Sequence, residues 1–204
     1  MGKCNCPLPG ELTTIPPSNC PVDFKQIQKF GFRRRGNIWD ATLNNDIKES
    51  AGWALFLAAA DSTKIVITPF IGGDPAIAAG DAITEGGGDN STLNGVELIT
   101  GTNPSTLTAR FDSLSPAQEA AVKTLMCENL LEVFLINSDD NIIADTTSTP
   151  TENVGIPIQS FFFSDRGNDG FGSKDSFSMS FQLAAGWSET VEIVVPNFSP
   201  LTVL

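Results

Sequence analysis

The clearest periodicity in the chain lies at Phe177, Met179, Phe181 and Leu183, which alternate with Ser178, Ser180 and Gln182. A period of two with one apolar face predicts a half-buried strand. Glu132-Val133-Phe134-Leu135-Ile136-Asn137 is a near-continuous apolar run, read as a buried strand, and Ser138 to Asn141 reads as the turn that returns it through Ile142 to Ala144. Further strands are predicted at Val22–Phe32, Lys64–Phe70, Ile156–Ser164 and Thr190–Val195, each rich in β-branched or aromatic residues. Val96–Thr100 and Thr106–Phe111 read as a pair joined by a turn at Gly101–Pro104.

Two segments carry helical signals. Ser115-Pro116-Ala117-Gln118 has an N-cap serine, a proline at the first helical position and a glutamine at the capping-box position. Ala121, Val122, Leu125 and Met126 follow at helical spacing. A second helix is expected after Asp46, with Glu49 as its capping partner and Ile47, Trp53, Leu55, Phe56 and Leu57 as its apolar face. Gly52 weakens it.

Breaker residues set the remaining organisation. Residues 1–21 hold Pro7, Pro9, Pro16, Pro17 and Pro21 without an apolar period, which predicts an extended N-terminal arm. Residues 71–95 contain Gly72-Gly73, Gly80, Gly86-Gly87-Gly88 and Asn94-Gly95, which predicts a long glycine-rich loop or extended hairpin. Asn94-Gly95 is a type I′ turn signal. Residues 145–153 and 165–174 read as polar loops, and 197–204 as a short tail. The expected architecture is one β-dominated α+β domain over residues 22–196, an antiparallel sandwich or barrel-like fold with one flanking helix or two.

Composition narrows the chemistry. The 204 residues carry a net charge of −12, 14 Phe and no His or Tyr. A hydrophobic content of 41% supports a real core. Without histidine there is no Ser-His-Asp or Cys-His nucleophile pair and no His-containing zinc site. The acidic balance disfavours broad nucleic-acid binding, which needs basic surface to displace counterions. Met1 to Gly10 lacks a secretory h-region, and the longest apolar stretch, Ala51 to Ala60, is too short to span a bilayer. A soluble protein made in a cytosol, with no membrane partner, is expected.

Each candidate site has a plain alternative. Cys4, Cys6 and Cys20, with Cys127 as fourth ligand, are a conceivable zinc set. The Cys4-x-Cys6 spacing is tighter than the usual two to four intervening residues, which favours free thiols. Asp165, Asp169 and Gly170 match part of a calcium loop, but Ser176 stands where a bidentate glutamate is required. Gly86-Gly87-Gly88 lacks the lysine and helix of a phosphate loop. No catalytic residue, metal or cofactor is therefore assigned, and no enzyme activity is expected. Arg33-Arg34-Arg35 is the basic concentration, and residues 124–165 hold seven acids and no Lys or Arg. The arginines are either a solvated strand end or, with Trp39, an intersubunit contact to an acidic neighbour, or else a local phosphate contact.

The order of features resembles virion structural proteins of tailed bacteriophages, in particular tail-tube subunits. The likeness lies in KIVITPFIGGDP (64–75), ITGTNPSTLTARFDSLSP (99–116), LEVFLINSDDNII (131–143), KDSFSMSFQLAAGW (174–187) and VPNF (195–198). It implies a β-sandwich with a flanking helix, a long loop and terminal arms. It also implies assembly with copies of itself and other virion proteins into stacked, usually hexameric rings around a channel. DNA would pass through that channel only as non-specific cargo. The expected location is the virion, after synthesis in the host cytoplasm. Another head, neck or tail protein is the nearest alternative. A sandwich that binds carbohydrate through exposed Trp and the Asp/Asn loops at 86–90 and 165–170 is the alternative from a different class. Deleting residues 1–21 is expected to leave the domain folded and to weaken self-association, as circular dichroism and analytical ultracentrifugation would read; an unfolded variant would show that the segment belongs to the core.

Overall fold

The computed structural model describes residues 15, 23–41, 46–88, 90–147 and 152–204. In chain order the strands are β1 (Ile27–Arg34), β2 (Trp39–Asp40), β3 (Val66–Ile67), β4 (Ala76–Ala78), β5 (Ala82–Glu85), β6 (Leu98–Thr102) and β7 (Ser105–Asp112). They continue with β8 (Leu131–Asn137), β9 (Ile142–Thr146), β10 (Glu152–Val154), β11 (Ile156–Phe163), β12 (Gly167–Asn168), β13 (Asp175–Leu183) and β14 (Val191–Val194). The α-helices are α1 (Ser50–Ala58), α2 (Pro116–Thr124) and the short α3 (Pro200–Val203). The fold is β-dominated α+β, and every strand pairing among the described residues is antiparallel.

β8 organises the molecule. Its whole length pairs with β1, while its other edge is shared between β11 near Val133 and β9 near Leu135. β11 then leaves β8 and, from Ile158, pairs with β13, which pairs with β7, which pairs with β4. One layer is thus built around β1, β8 and β9, and the second around β11, β13 and β7. β11 is the strand that crosses between them.

The main core fills the space between these layers. Phe30 and Phe32 of β1 meet Phe181 of β13 edge-on, at ring-centroid distances of 5.7 and 5.8 Å. The predicted alternation on β13 holds: Phe177, Met179, Phe181 and Leu183 are buried. Leu131, Val133 and Leu135 of β8 face this core, together with Val122 of α2. Phe134 points the other way into a second cluster with Trp39, Ile47, Trp53, Ile65 and Val194, over which α1 packs. β8 is therefore covered on both faces, and that explains its unbroken apolar run.

The Ser115 capping box of α2 forms as expected, with Gln118 N donating to Ser115 Oγ at 3.3 Å and Ser115 N donating to Gln118 Oε1 at 2.9 Å. α1 differs from the expectation. It starts at Ser50, and Asp46 instead accepts from Lys48 N at 2.9 Å in a local turn. Asp46 and Glu49 therefore make no capping box. Residues 197–204 form no free tail. Asp140 accepts from Ser199 Oγ and Leu201 N, while Phe198 and Leu204 pack against the second cluster.

The glycine-rich excursion resolves into two parts. β4 joins β7, and β5 pairs with β6 in a separate two-stranded sheet. β6 and β7 do not pair with each other as the sequence suggested. The Asn103-Pro104 link is a bend between two sheets, because β7 takes β13 and β4 as its two neighbours. Asn94 and Gly95 adopt the positive φ of the expected turn, 60° and 65°.

Truncating Phe181 to Ala is expected to cost about 3–5 kcal/mol in denaturant unfolding, against a change near zero for Ser178→Ala on the outer face.

Candidate assembly surface

Each residue of the basic run finds its partner inside its own chain. Arg33 and Glu132 stand directly opposite each other on β1 and β8. Nε of Arg33 donates to Glu132 Oε1 at 2.6 Å, and both side chains are almost fully buried, at 0% and 4% exposure. The Arg33 guanidinium lies 5.5 Å from the Trp39 ring, 5.4 Å from Phe56 and 5.2 Å from Phe134. Its Nη1 has no hydrogen-bond acceptor among the described residues, and these aromatic faces surround it instead. Burial pushes the Glu132 carboxyl up and the Arg33 guanidinium down, and in each case the partner charge opposes the shift.

Arg34 points outward and pairs with Glu128, its Nε 2.8 Å from Oε2. Arg35 donates to the carbonyls of Leu131 (2.9 Å) and Ile158 (2.6 Å). The basic run and the acid-only stretch thus do meet, but within one protomer. Of the residues expected at an intersubunit contact, Arg33 and Trp39 are buried within their own chain, so neither side chain has surface to offer. The physical reason is strand alternation: neighbouring arginines face opposite sides of β1.

The other sequence candidates divide in the same way. Cys4, Cys6 and Cys20 lie outside the described residues. Cys127 is a free, exposed thiol. Among the described residues no group of three His, Cys, Asp or Glu could hold a metal ion, and no helix is long and apolar enough to cross a membrane. In the partial calcium loop, Asp165 is engaged by Lys123 Nζ at 2.5 Å and Asp169 faces Arg110 at 3.7 Å. Those carboxylates answer cations of the protein itself. Trp39 and Trp53 are fully buried and Trp187 packs on Phe24 at 5.8 Å, so the three tryptophans form no exposed platform of the kind a carbohydrate module uses.

The feature that composition did not reveal is the β5–β6 hairpin. It carries Ile83, Leu93, Val96, Leu98 and Ile99 exposed to solvent, Ile99 at 68%. The register puts Ile83, Glu85 and Leu98 on one face and Thr84 and Ile99 on the other, so both faces present apolar side chains. At the root, Asn103 N donates to Asp81 O at 2.8 Å, and a Cβ at Gly80 would run into the Asn103 carbonyl. The two strands therefore leave the body in close contact.

No known family model and no characterised protein sequence matches the chain. Among solved structures, a chain of the virion of a native gene transfer agent particle is similar at a TM-score of 0.38 and 9% identity. That match covers 64% of this chain and 88% of the other. A chain from the tail of an empty gene transfer agent particle, solved with C6 symmetry, is similar at a TM-score of 0.35 and 9% identity, covering 60% and 81%. Likeness at this level assigns no role to the present chain.

Glu132→Leu is expected to destabilise the protein by about 3–5 kcal/mol, because it strands a buried guanidinium. The double change Arg33→Met with Glu132→Leu is expected to recover most of that loss in urea unfolding; a single-variant cost near zero would show that the pair is solvated.

Proposed function

We propose that the protein is a self-assembling structural protein of a phage-like virion, most like a tail-tube subunit that forms rings around a DNA channel. The observation that carries this reading is the β5–β6 hairpin, apolar on both faces and left uncovered by the described residues of its own chain. A two-stranded hairpin is marginal in water by itself. Exposed apolar side chains on such an element gain stability when a second molecule covers them, at about 25 cal/mol per Å² of apolar surface removed from water. The sequence pattern that resembles tail-tube subunits supports the same reading.

A head-to-tail contact of this kind closes into a ring when its rotation permits. The charge fits a conduit. With 24 acidic and 12 basic residues, a wall built from this chain repels phosphates at distances up to a Debye length of about 8–10 Å. DNA would then pass without being held. Partners on this reading are further copies and other virion proteins.

Replacing residues 81–102 with two glycines joins ends that already touch. The variant is expected to fold with an unchanged melting temperature and to remain monomeric in sedimentation, while the full chain gives rings in negative-stain micrographs. A full chain that stays strictly monomeric and is absent from particles would end this reading.

A further inference from the structure

A groove lies where the two layers part. β11 pairs with β8 only at Ile156 and Pro157, and from Ile158 it belongs to the other layer. Arg35 spans the resulting gap by donating to Leu131 O and Ile158 O. Three cavities of about 210, 320 and 340 Å³ adjoin the segment from Leu125 to Leu131, and Glu128 lines all three. Met126 and Leu130, both exposed, supply apolar surface there. Arg34, Arg35 and Lys64 line these cavities with Asp61 and Glu128, and although Arg34 is already paired with Glu128, the local balance is three cations to two carboxylates in a chain that is otherwise strongly acidic.

The hairpin has the opposite character. From Ile65 to Ala109 the chain contains Asp74, Asp81, Glu85, Asp89 and Glu97 and not one Lys or Arg. Its exposed apolar residues are aliphatic, as the groove's are. Position matters as well. Ser105, directly after the hairpin root, is paired with Leu183, and Leu183 is paired with Ile158 at the groove. Hairpin root and groove therefore sit at the same end of the sheet, two strand spacings or roughly 10 Å apart.

We infer that the groove around Glu128 receives the β5–β6 hairpin of the adjacent copy in the same ring, a lateral, heterologous contact of acidic-aliphatic strand in cationic-aliphatic groove. This rests on the reading that the protein assembles with itself. It names the surface that does so within a layer.

Cys127 lines the groove and is free, so it serves as a reporter. The full chain with Cys4, Cys6 and Cys20 changed to Ser and with Ile99→Cys is oxidised under assembling conditions and run on non-reducing gels. A ladder extending past the dimer is expected, lost when Cys127→Ser is added and absent without Ile99→Cys. Products that stop at the dimer would overturn the lateral contact in favour of a two-fold exchange of hairpins. Rings that form in the Ile99→Cys variant without any disulfide from position 99 to Cys127 would overturn the groove while leaving the proposed function standing. Absence of assembly in the unsubstituted chain would remove both. Leu130→Asp, at an exposed position, is expected to weaken self-association at least tenfold in sedimentation with an unchanged circular dichroism spectrum, and an unaltered association would count against the groove.

Discussion

The register between β1 and β8 is the constraint on which the two cores depend, and the Arg33–Glu132 pair marks it. β8 is buried on both faces, yet it carries a carboxylate at its second position. Such a group is tolerated only beside an opposite charge, and the cross-strand neighbour of Glu132 is Arg33. A slip of one residue would turn Arg33 toward Phe181 and turn Phe32 toward Trp53, because side chains alternate with a period of two. The pair therefore excludes a register that a uniformly apolar strand would leave open. Gly31 belongs to the same arrangement. A Cβ there would approach Ile67 Cδ1 at 3.0 Å and Trp53 at 3.7 Å, so the bare backbone lets the α1 side of the layer close down.

The hairpin obeys a different logic. β5 and β6 extend the β4–β7 pair past the end of the sheet, but neither contributes to either core. Gly86, Gly87 and Gly88 at its tip all have positive φ, near 90–97°, a region that L side chains rarely adopt. That tip is built for chain reversal, with Thr92 Oγ1 donating to Val96 O and Gly88 N donating to Gly95 O. Exposed aliphatic residues on a folded, hydrogen-bonded element differ from a ragged loop. The backbone is already ordered, so covering it costs less entropy than folding a disordered segment onto a partner.

The strands with strong internal pattern were legible in the sequence. β13 showed through its alternation and β8 through its apolar run, and α2 showed through a cap whose side-chain bonds are local. What pattern could not supply was pairing. β6 and β7 flank a Gly–Pro turn and look like a hairpin, but the choice between β5 and β13 as neighbours is made by contacts far away in sequence. The arginine run misled for a related reason. Clustering in sequence says nothing about sidedness, and on a strand Arg33 goes inward while Arg34 goes outward. α1 was mis-started because Asp46 and Glu49 have capping-box spacing, whereas Asp46 closes a turn before the helix begins. The groove had no signature of its own, since it arises where β11 changes layers and only the three-dimensional path reveals that.

The charge balance then takes on a sharper meaning. Lys25, Arg33, Arg34, Arg110, Lys123 and Arg166, half of the 12 basic residues, are each paired with carboxylates of their own chain. The 24 acidic residues outnumber the cations two to one, and that excess makes copies repel one another at long range. Association must therefore be driven at short range, by apolar contact, with any favourable charge confined to a small area. A groove holding Lys64 and the outward faces of Arg34 and Arg35 is such an area. Its field falls off within about a Debye length, so it aligns a neighbour already close and does little to recruit a distant one. Repulsion between whole copies is screened by salt in the same way. Self-association through an aliphatic hairpin consequently gains from salt at long range and loses at the groove, and the balance of the two sets how steeply assembly responds to ionic strength.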